Sequence, residues 1–250
     1  MTNREGSPLL IATNNKGKVE ELQDLLKDTG IELVTPAQID LQLDVIEDGR
    51  TYAENASKKA IAFAEASGLV SLADDSGLEV DALDGAPGLY SARYGSSDSL
   101  PPNSKNLGEA GGRSDKDRRL HLLQNLQDEP RPWKARFRAT IAIATPTGYR
   151  SNVTLSEAKG LKQSQSETLR SLRSLRVTNE RIYLTEGFCE GEIIPEERGT
   201  GGFGYDPIFL FPELAKTMAE LSVDEKNRLS HRARAVIKAK PILIQLLDAT

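Results

Sequence analysis

Residues 71–80 read SLADDSGLEV, so two adjacent carboxylates, Asp74 and Asp75, stand at the end of an apolar run. Successive side chains of a strand point to opposite faces, so the pair cannot share one environment and at most one of them should face the core. The stretch reads as a strand, VSLA, then a DDSG turn, then a second short strand, LEVDAL. Both acids then lie at the C-terminal end of a strand, where α/β sheets place ligand groups, and the small residues Ser76 and Gly77 keep that position open. Glu47, in VIEDG ahead of a helix, is a further acid able to converge on them. Two carboxylates plus phosphate oxygens are a usual way to hold Mg2+, with several waters retained. The plainer alternative is that one aspartate caps a turn and the other meets solvent.

Three other stretches carry groups suited to an anionic ligand. TNNKGK (Thr13, Asn14, Asn15, Lys16, Gly17, Lys18) lies between a strand and a helix and offers backbone N–H groups, two amides and two ammonium groups. Phosphate binds well at such a turn, although the P-loop spacing is absent and an ordinary turn with solvated lysines fits the same residues. The loop GGFGYD has glycines that let backbone approach a ligand, Phe203 to stack on a base, and Asp206 as an acceptor. In SHR, Ser230 suits a helix N-cap, which would put His231 and Arg232 beside free helix N–H groups. Lys59 points with Tyr52 and Phe63, since steps of seven and four residues at about 100° each nearly close whole turns. It leans toward any cleft, or it snorkels from an apolar face.

These groups need a frame. PLLIAT reads as a buried strand, and VEELQDLLKD repeats Val19, Leu22, Leu25 and Leu26 at helical spacing. TYAE is a capping box with Thr51 at the N-cap and Glu54 three residues on, and Gly68 marks the stop, which predicts a helix over 52–67. A helix around LHLLQNLQ, strands ARFRATIAIAT and GFCEGEI, and an apolar strand after GTGGFGYD follow. SVDE is a second capping box, and Pro241 is expected to kink or end the last helix. The order implies an α/β sandwich. Residues 96–118 are poor in apolar residues and read as a loop insertion, and so does 150–183. Within the latter, Leu169, Leu172, Leu175 and Arg170, Arg173, Arg176 repeat every three residues, a period that holds no single helical stripe.

With 250 residues the chain is read as one domain. Its net charge of -5 argues against a nucleic-acid backbone as the main partner, so the ligand is expected to be small. One cysteine and two histidines exclude a disulfide framework and a Cys/His zinc cluster, and they fit a reducing cytoplasm. No apolar run approaches a membrane span, and the apolar stretch in MTNREGSPLLIAT is too short for a signal peptide, so no membrane role is expected.

Taken in order, TNNKGKVEEL, EDGRTYAENASKKA, ADDSGLEVDALDGAPGLYSARY, GTGGFGYDPIF and KNRLSHR closely resemble the inosine triphosphate pyrophosphatase family, the Ham1-like XTP/dITP diphosphatases. The resemblance spans nearly the whole chain outside the two polar stretches. It implies an elongated mixed sheet flanked by helices, two lobes with a nucleotide cleft between them, and a homodimer. It also implies Mg2+-dependent hydrolysis of ITP, dITP or XTP to monophosphate and pyrophosphate. Carried over by position, Thr13 to Lys18 hold the triphosphate, and Glu47 and Asp75 bind metal. Asp75 also activates water, while Asp74 orients the turn or ligates through water. Ser76 contacts substrate. Lys59, Phe203, Gly204, Tyr205, Asp206, Lys226, His231 and Arg232 line the nucleotide. The competing classes are a Maf-like nucleotide or tRNA binding module without hydrolysis and an enzyme that cleaves the terminal phosphate.

Overall fold

The computed structural model describes residues 7–95, 114–149, 176–177 and 181–248. Most of the two insertions, 96–113 and 150–175, falls outside the described residues. The elements in chain order are β1 (Leu9–Ile11), α1 (Lys16–Leu26), β2 (Leu33–Val34), α2 (Tyr52–Ser67), β3 (Ser71–Val80) and α3 (Asp115–Leu126). They continue with β4 (Trp133–Ala144), β5 (Arg176–Val177), β6 (Ile182–Ile193), β7 (Phe209–Phe211), β8 (Lys216–Thr217), α4 (Val223–Leu229) and α5 (His231–Asp248). The strands form one mixed sheet in the order β2-β1-β3-β4-β6-β7-β8, with β5 paired to β6. β1 is parallel to β2 and β3, whereas β7 is antiparallel to β6 and β8. The expected α/β class is observed.

The chain divides into two compact units. The first consists of the described parts of Met1–Asp75, Ala139–Gly187 and Arg232–Thr250. Here Leu9, Ile11, Leu72 and Ile141 pack with Leu22 and Leu26 of α1 and with Val236 and Leu243 of α5. Leu10, Ala12, Ala73 and Ala142 pack with Ala56, Ala60 and Phe63 of α2. Alternate residues of each strand thus meet different helices, and both faces of this part of the sheet are covered. That is why LLIA and IAIA are unbroken apolar runs. The N-cap and the glycine stop expected on α2 are present, but the Thr51 box is only half formed. Thr51 Oγ1 accepts from the Glu54 N–H at 3.1 Å, and Gly68 ends the helix at φ 72°. The Glu54 carboxylate reaches back to the N–H of Arg50 at 2.6 Å.

The second unit consists of the described parts of Ser76–Arg138 and Phe188–His231. Its core gathers Leu78, Val80, Leu122, Leu126, Trp133, Phe137, Ile208 and Phe209. Along the first half of β4, Trp133, Ala135 and Phe137 are buried while Lys134 and Arg138 are exposed, so one face of the sheet is covered there.

Three expectations need correction, and a fourth is narrowed. DDSG is no turn: β3 runs unbroken from Ser71 to Val80, because an inner strand between β1 and β4 gains pairing that outweighs a weak local turn preference. Residues 115–118 are not loop but the first turn of α3, closed by a capping box of Ser114 with Asp117. Residues 182 and 183 already belong to β6. Pro241 does not end α5, which runs on to Asp248. The carbonyl that Pro241 cannot satisfy belongs to Ile237, a residue 51% exposed.

Candidate active site

The alternation of β3 separates the two aspartates. Asp74 points to the same side as Leu72, toward α1 and α5, and its side chain is fully buried. Its Oδ2 accepts from Lys18 Nζ at 2.8 Å and from Arg232 Nη2 and Nε at 3.1 and 3.3 Å. The other arm of the Arg232 guanidinium pairs with Glu21 of α1. Burial opposes the Asp74 charge, but Arg232 and Lys18 outweigh it and hold the carboxyl well below the usual carboxylate range. The same carboxylates raise Arg232 above its ordinary value against the effect of its own burial. Alternating charges thus run from Lys18 through Asp74 and Arg232 to Glu21.

Asp75 points to the other side, toward α2. Lys59 Nζ lies 3.5 Å from Asp75 Oδ1, 3.1 Å from Glu47 Oε2 and 2.9 Å from the Asp74 carbonyl oxygen. Lys59 therefore does not snorkel to solvent but gathers two carboxylates. Asp75 is 8% exposed, and its Oδ2 is buried with no hydrogen-bond partner among the described residues. Burial pushes its carboxyl up to about 6, against the pull of Lys59 and Lys18. Glu47 is steadied by Asn55 of α2, whose Oδ1 accepts from the Gly49 N–H at 2.7 Å. A side chain at Gly49 would collide with Asn55.

The donor set suits a hard cation. Asp75 and Glu47 are oxygen donors collected around one positive charge, and Asp75 Oδ2 has acceptor capacity left. Among the described residues no three His, Cys, Asp or Glu side chains converge as a full ligand cage. Such a centre needs water or ligand phosphate to complete it, as Mg2+ commonly does.

The TNNKGK turn opens where β1 ends, since β1 pairs with β3 only as far as Leu72. Asn15 caps α1 by accepting from the Lys18 N–H at 3.0 Å, and Thr13 Oγ1 accepts from the Asn15 N–H at 3.2 Å. Asn14 and Lys16 are exposed, and Gly17 is half-buried. The first unit therefore brings together Thr13 to Lys18, Glu47, Lys59, Asp74, Asp75 and Arg232.

The remaining candidates lie in the second unit. Asp206 Oδ2 accepts from the Phe203 N–H at 3.1 Å and from Lys226 Nζ at 2.8 Å, and Lys226 stands 5.7 Å from the centre of the Phe203 ring. Gly202, at φ 73°, closes this turn, because any Cβ there would overlap Asp206. The Phe203 ring is half-buried, flanked by this charged pair. His231 is buried and stacks on Phe137 with ring centres 4.7 Å apart. Ser76 is half-buried on β3.

Two candidates are engaged by the protein itself. Arg232, named among the nucleotide-lining candidates, turns its guanidinium to Asp74 and Glu21. Tyr205 is buried, and its hydroxyl donates to the Ser91 carbonyl at 2.9 Å, so its ring anchors the loop from within the core. Burial raises its phenol above the ordinary value. Ser91 explains the GLYSAR stretch: its hydroxyl accepts from the Leu78 N–H at 2.8 Å and donates to the Gly88 carbonyl at 2.6 Å. Glu21, Asn55, Ser91 and Arg119 escaped the sequence reading, since each serves a partner far away or another residue's backbone. Only the S-x-x-D box ahead of Arg119 was a readable signal.

The Ham1 family model matches residues 9–242. A dITP/XTP pyrophosphatase of Desulforamulus reducens is 43% identical over 240 residues, covering 95% of this chain and 96% of that protein. A protein of the same name from Thermus thermophilus is 40% identical, covering 92% and 89%. Among solved structures, the Ham1 protein of Coxiella burnetii superposes with a TM-score of 0.68 at 31% identity, covering 95% and 98%. That of Staphylococcus aureus gives 0.66 at 31%, covering 94% and 97%. A family match along almost the whole length, joined to the same fold, establishes that this chain belongs to the Ham1 family.

Proposed function

We propose that this chain is a nucleoside triphosphate pyrophosphatase that hydrolyses non-canonical purine triphosphates, ITP, dITP and XTP, to the monophosphate and pyrophosphate, with Mg2+ as cofactor. The observation that carries the reading is Asp75: a buried carboxylate with an unused oxygen, beside Glu47 and Lys59, in the unit that holds the phosphate-type turn. The names borne by the relatives support the same substrate class.

Asp75 and Glu47 would hold Mg2+, which supplies neutralising charge to the phosphate oxygens when bound. Asp75 Oδ2, buried and without a hydrogen-bond partner among the described residues, orients a water and accepts its proton. The water oxygen bonds to the α-phosphorus while the bond to the α–β bridging oxygen breaks, and pyrophosphate departs with that electron pair. Lys18, Lys59 and the N-terminal turn of α1 steady the phosphate oxygens as charge develops. No covalent nucleophile takes part. Asp74, ionised and tied to Arg232, holds Lys18 in place from behind. On the second unit, Phe203 stacks on the base, and Asp206 with His231 faces its polar edge. Hypoxanthine carries an acceptor at C6 and a donor at N1, and adenine reverses both. One unmatched buried group costs roughly 1–3 kcal/mol, or roughly 5- to 150-fold.

The test is the identity of the product from ITP, XTP, GTP and ATP, with Mg2+ and with the metal chelated. Pyrophosphate from ITP, lost on chelation, with ATP at least tenfold poorer in kcat/KM, is expected. Orthophosphate would mean terminal cleavage, and neither product would mean a binding module. The reading includes a homodimer, for which light scattering should return twice the chain mass.

A further inference from the structure

We infer that Asp115 and Arg119 of α3 are positioning residues for the loop that carries Phe203, acting through both backbone groups of Gly204. The inference rests on the base-recognition reading of that loop. Four glycines fall between residues 199 and 204, and Gly202 and Gly204 adopt φ of 73° and 62°. Such a segment loses much conformational freedom when it orders, so a stacking ring mounted on it is costly to hold still. The structure supplies the restraint from α3. Asp115 Oδ2 accepts from the Gly204 N–H at 2.7 Å, and Arg119 Nη1 donates to the Gly204 carbonyl at 2.7 Å. Residues four apart share a helix face, so one turn of α3 grips the peptide units on either side of a single residue.

The Arg119 fork is itself aimed. Nε and Nη2 donate to the two oxygens of Glu197 at 2.9 and 3.0 Å, leaving Nη1 directed at the loop. A planar guanidinium held at two points has its third direction set, which an ammonium group cannot reproduce. Arg119 is 9% exposed, so the bond to Gly204 is well shielded from water. Together with the Asp206 contact to the Phe203 N–H, three successive peptide groups of the loop are restrained. None of these contacts reaches Asp75 or Glu47, so the grip should act on substrate binding and leave the chemical step alone.

The experiment is steady-state hydrolysis of ITP by wild type, Arg119→Leu, Arg119→Lys, Asp115→Ala, Glu197→Gln, Phe203→Ala and the double variant Arg119→Leu with Phe203→Ala. Thermal melting is measured alongside. Arg119→Leu and Asp115→Ala should raise KM about tenfold with kcat within about twofold, the loss of one charge-assisted hydrogen bond to a shielded group. Arg119→Lys should not rescue, and Glu197→Gln should raise KM about threefold. Adding Arg119→Leu to Phe203→Ala should change KM by less than about twofold, because both act through the same ring. Unchanged KM in Arg119→Leu and Asp115→Ala, with KM still raised in Phe203→Ala, overturns this inference and leaves the base reading standing. Loss of kcat at constant KM, or full additivity with Phe203→Ala, overturns it too. Unchanged KM in Phe203→Ala defeats the base reading itself. If Arg119→Leu does not fold, Glu197→Gln decides, and a KM equal to wild type refutes the inference.

Discussion

Replacing Arg232 by methionine tests whether that residue belongs to the acidic chain behind the site or to the base. Methionine keeps much of the length and removes the charge. Asp74 then loses donors at 3.1 and 3.3 Å and retains Lys18 at 2.8 Å, while Glu21 loses its partner in the cluster. Both Arg232 and Asp74 are nearly inaccessible, at 3% and 1%, so water cannot compensate. Removing one member of a buried pair typically costs 3–5 kcal/mol, and because Lys18 remains, about 3 kcal/mol is expected. For a chain of this size that lowers Tm by roughly 6–12 °C. Glu21→Gln, which leaves the Arg232–Asp74 pair intact, should cost about 1 kcal/mol. The assay is urea unfolding at neutral pH followed by circular dichroism, with kcat/KM for ITP and ATP measured on the same preparations. The expected pattern is a large stability loss for Arg232→Met, a small one for Glu21→Gln, and an ITP-to-ATP ratio within about threefold of wild type. Stability within about 0.5 kcal/mol of wild type, the range of an ordinary surface substitution, combined with a collapsed ITP-to-ATP ratio, would refute the reasoning and return Arg232 to the base.

Asp75→Asn keeps the shape of the buried side chain but removes its charge and its capacity to accept a proton. Hydrolysis of ITP should fall at least about 100-fold with the melting transition retained, and near-wild-type turnover would remove Asp75 from the mechanism. Gly202→Ala forces a left-handed residue to carry a Cβ that overlaps Asp206. Strain of roughly 1–2 kcal/mol should dislodge the Lys226–Asp206 turn and raise KM for ITP, and an unchanged KM would show that the turn does not serve the base. Thr51→Ala removes the N-cap of the helix that bears Lys59 and should cost about 1 kcal/mol in urea unfolding, whereas no change would mean that the cap is redundant. Tyr205→Phe leaves the Ser91 carbonyl without its 2.9 Å donor and should cost about 1–1.5 kcal/mol by the same measurement.

Much of the frame was readable because its signals are short-range. The Thr51 N-cap, the Gly68 stop and the Ser222 box each involve residues three or four apart, and the structure forms all three, although the Glu54 carboxylate accepts from Arg50 and so does not close the expected Thr51 box. The separation of Asp74 from Asp75 was readable as well, since it follows from the period of a strand alone, but both acids are buried where at most one was expected to face the core, because helices cover both faces of the sheet there. The period says nothing about which helix each acid meets. Asp74 and Arg232 are 158 residues apart, and Asp75 meets Lys59 because α2 covers one face of the sheet while α1 and α5 cover the other. The DDSG stretch was misread for a related reason: Ser and Gly favour turns locally, but β1 and β4 flank β3 and pairing overrides that preference. Family membership and reaction class were written in local motifs, which chemistry needs at close spacing. The division of labour between the two carboxylates, one locked into an ion-pair chain and one left with a free buried oxygen, depends on contacts across the sheet. Such contacts exist only once distant elements have packed, and no local pattern encodes them.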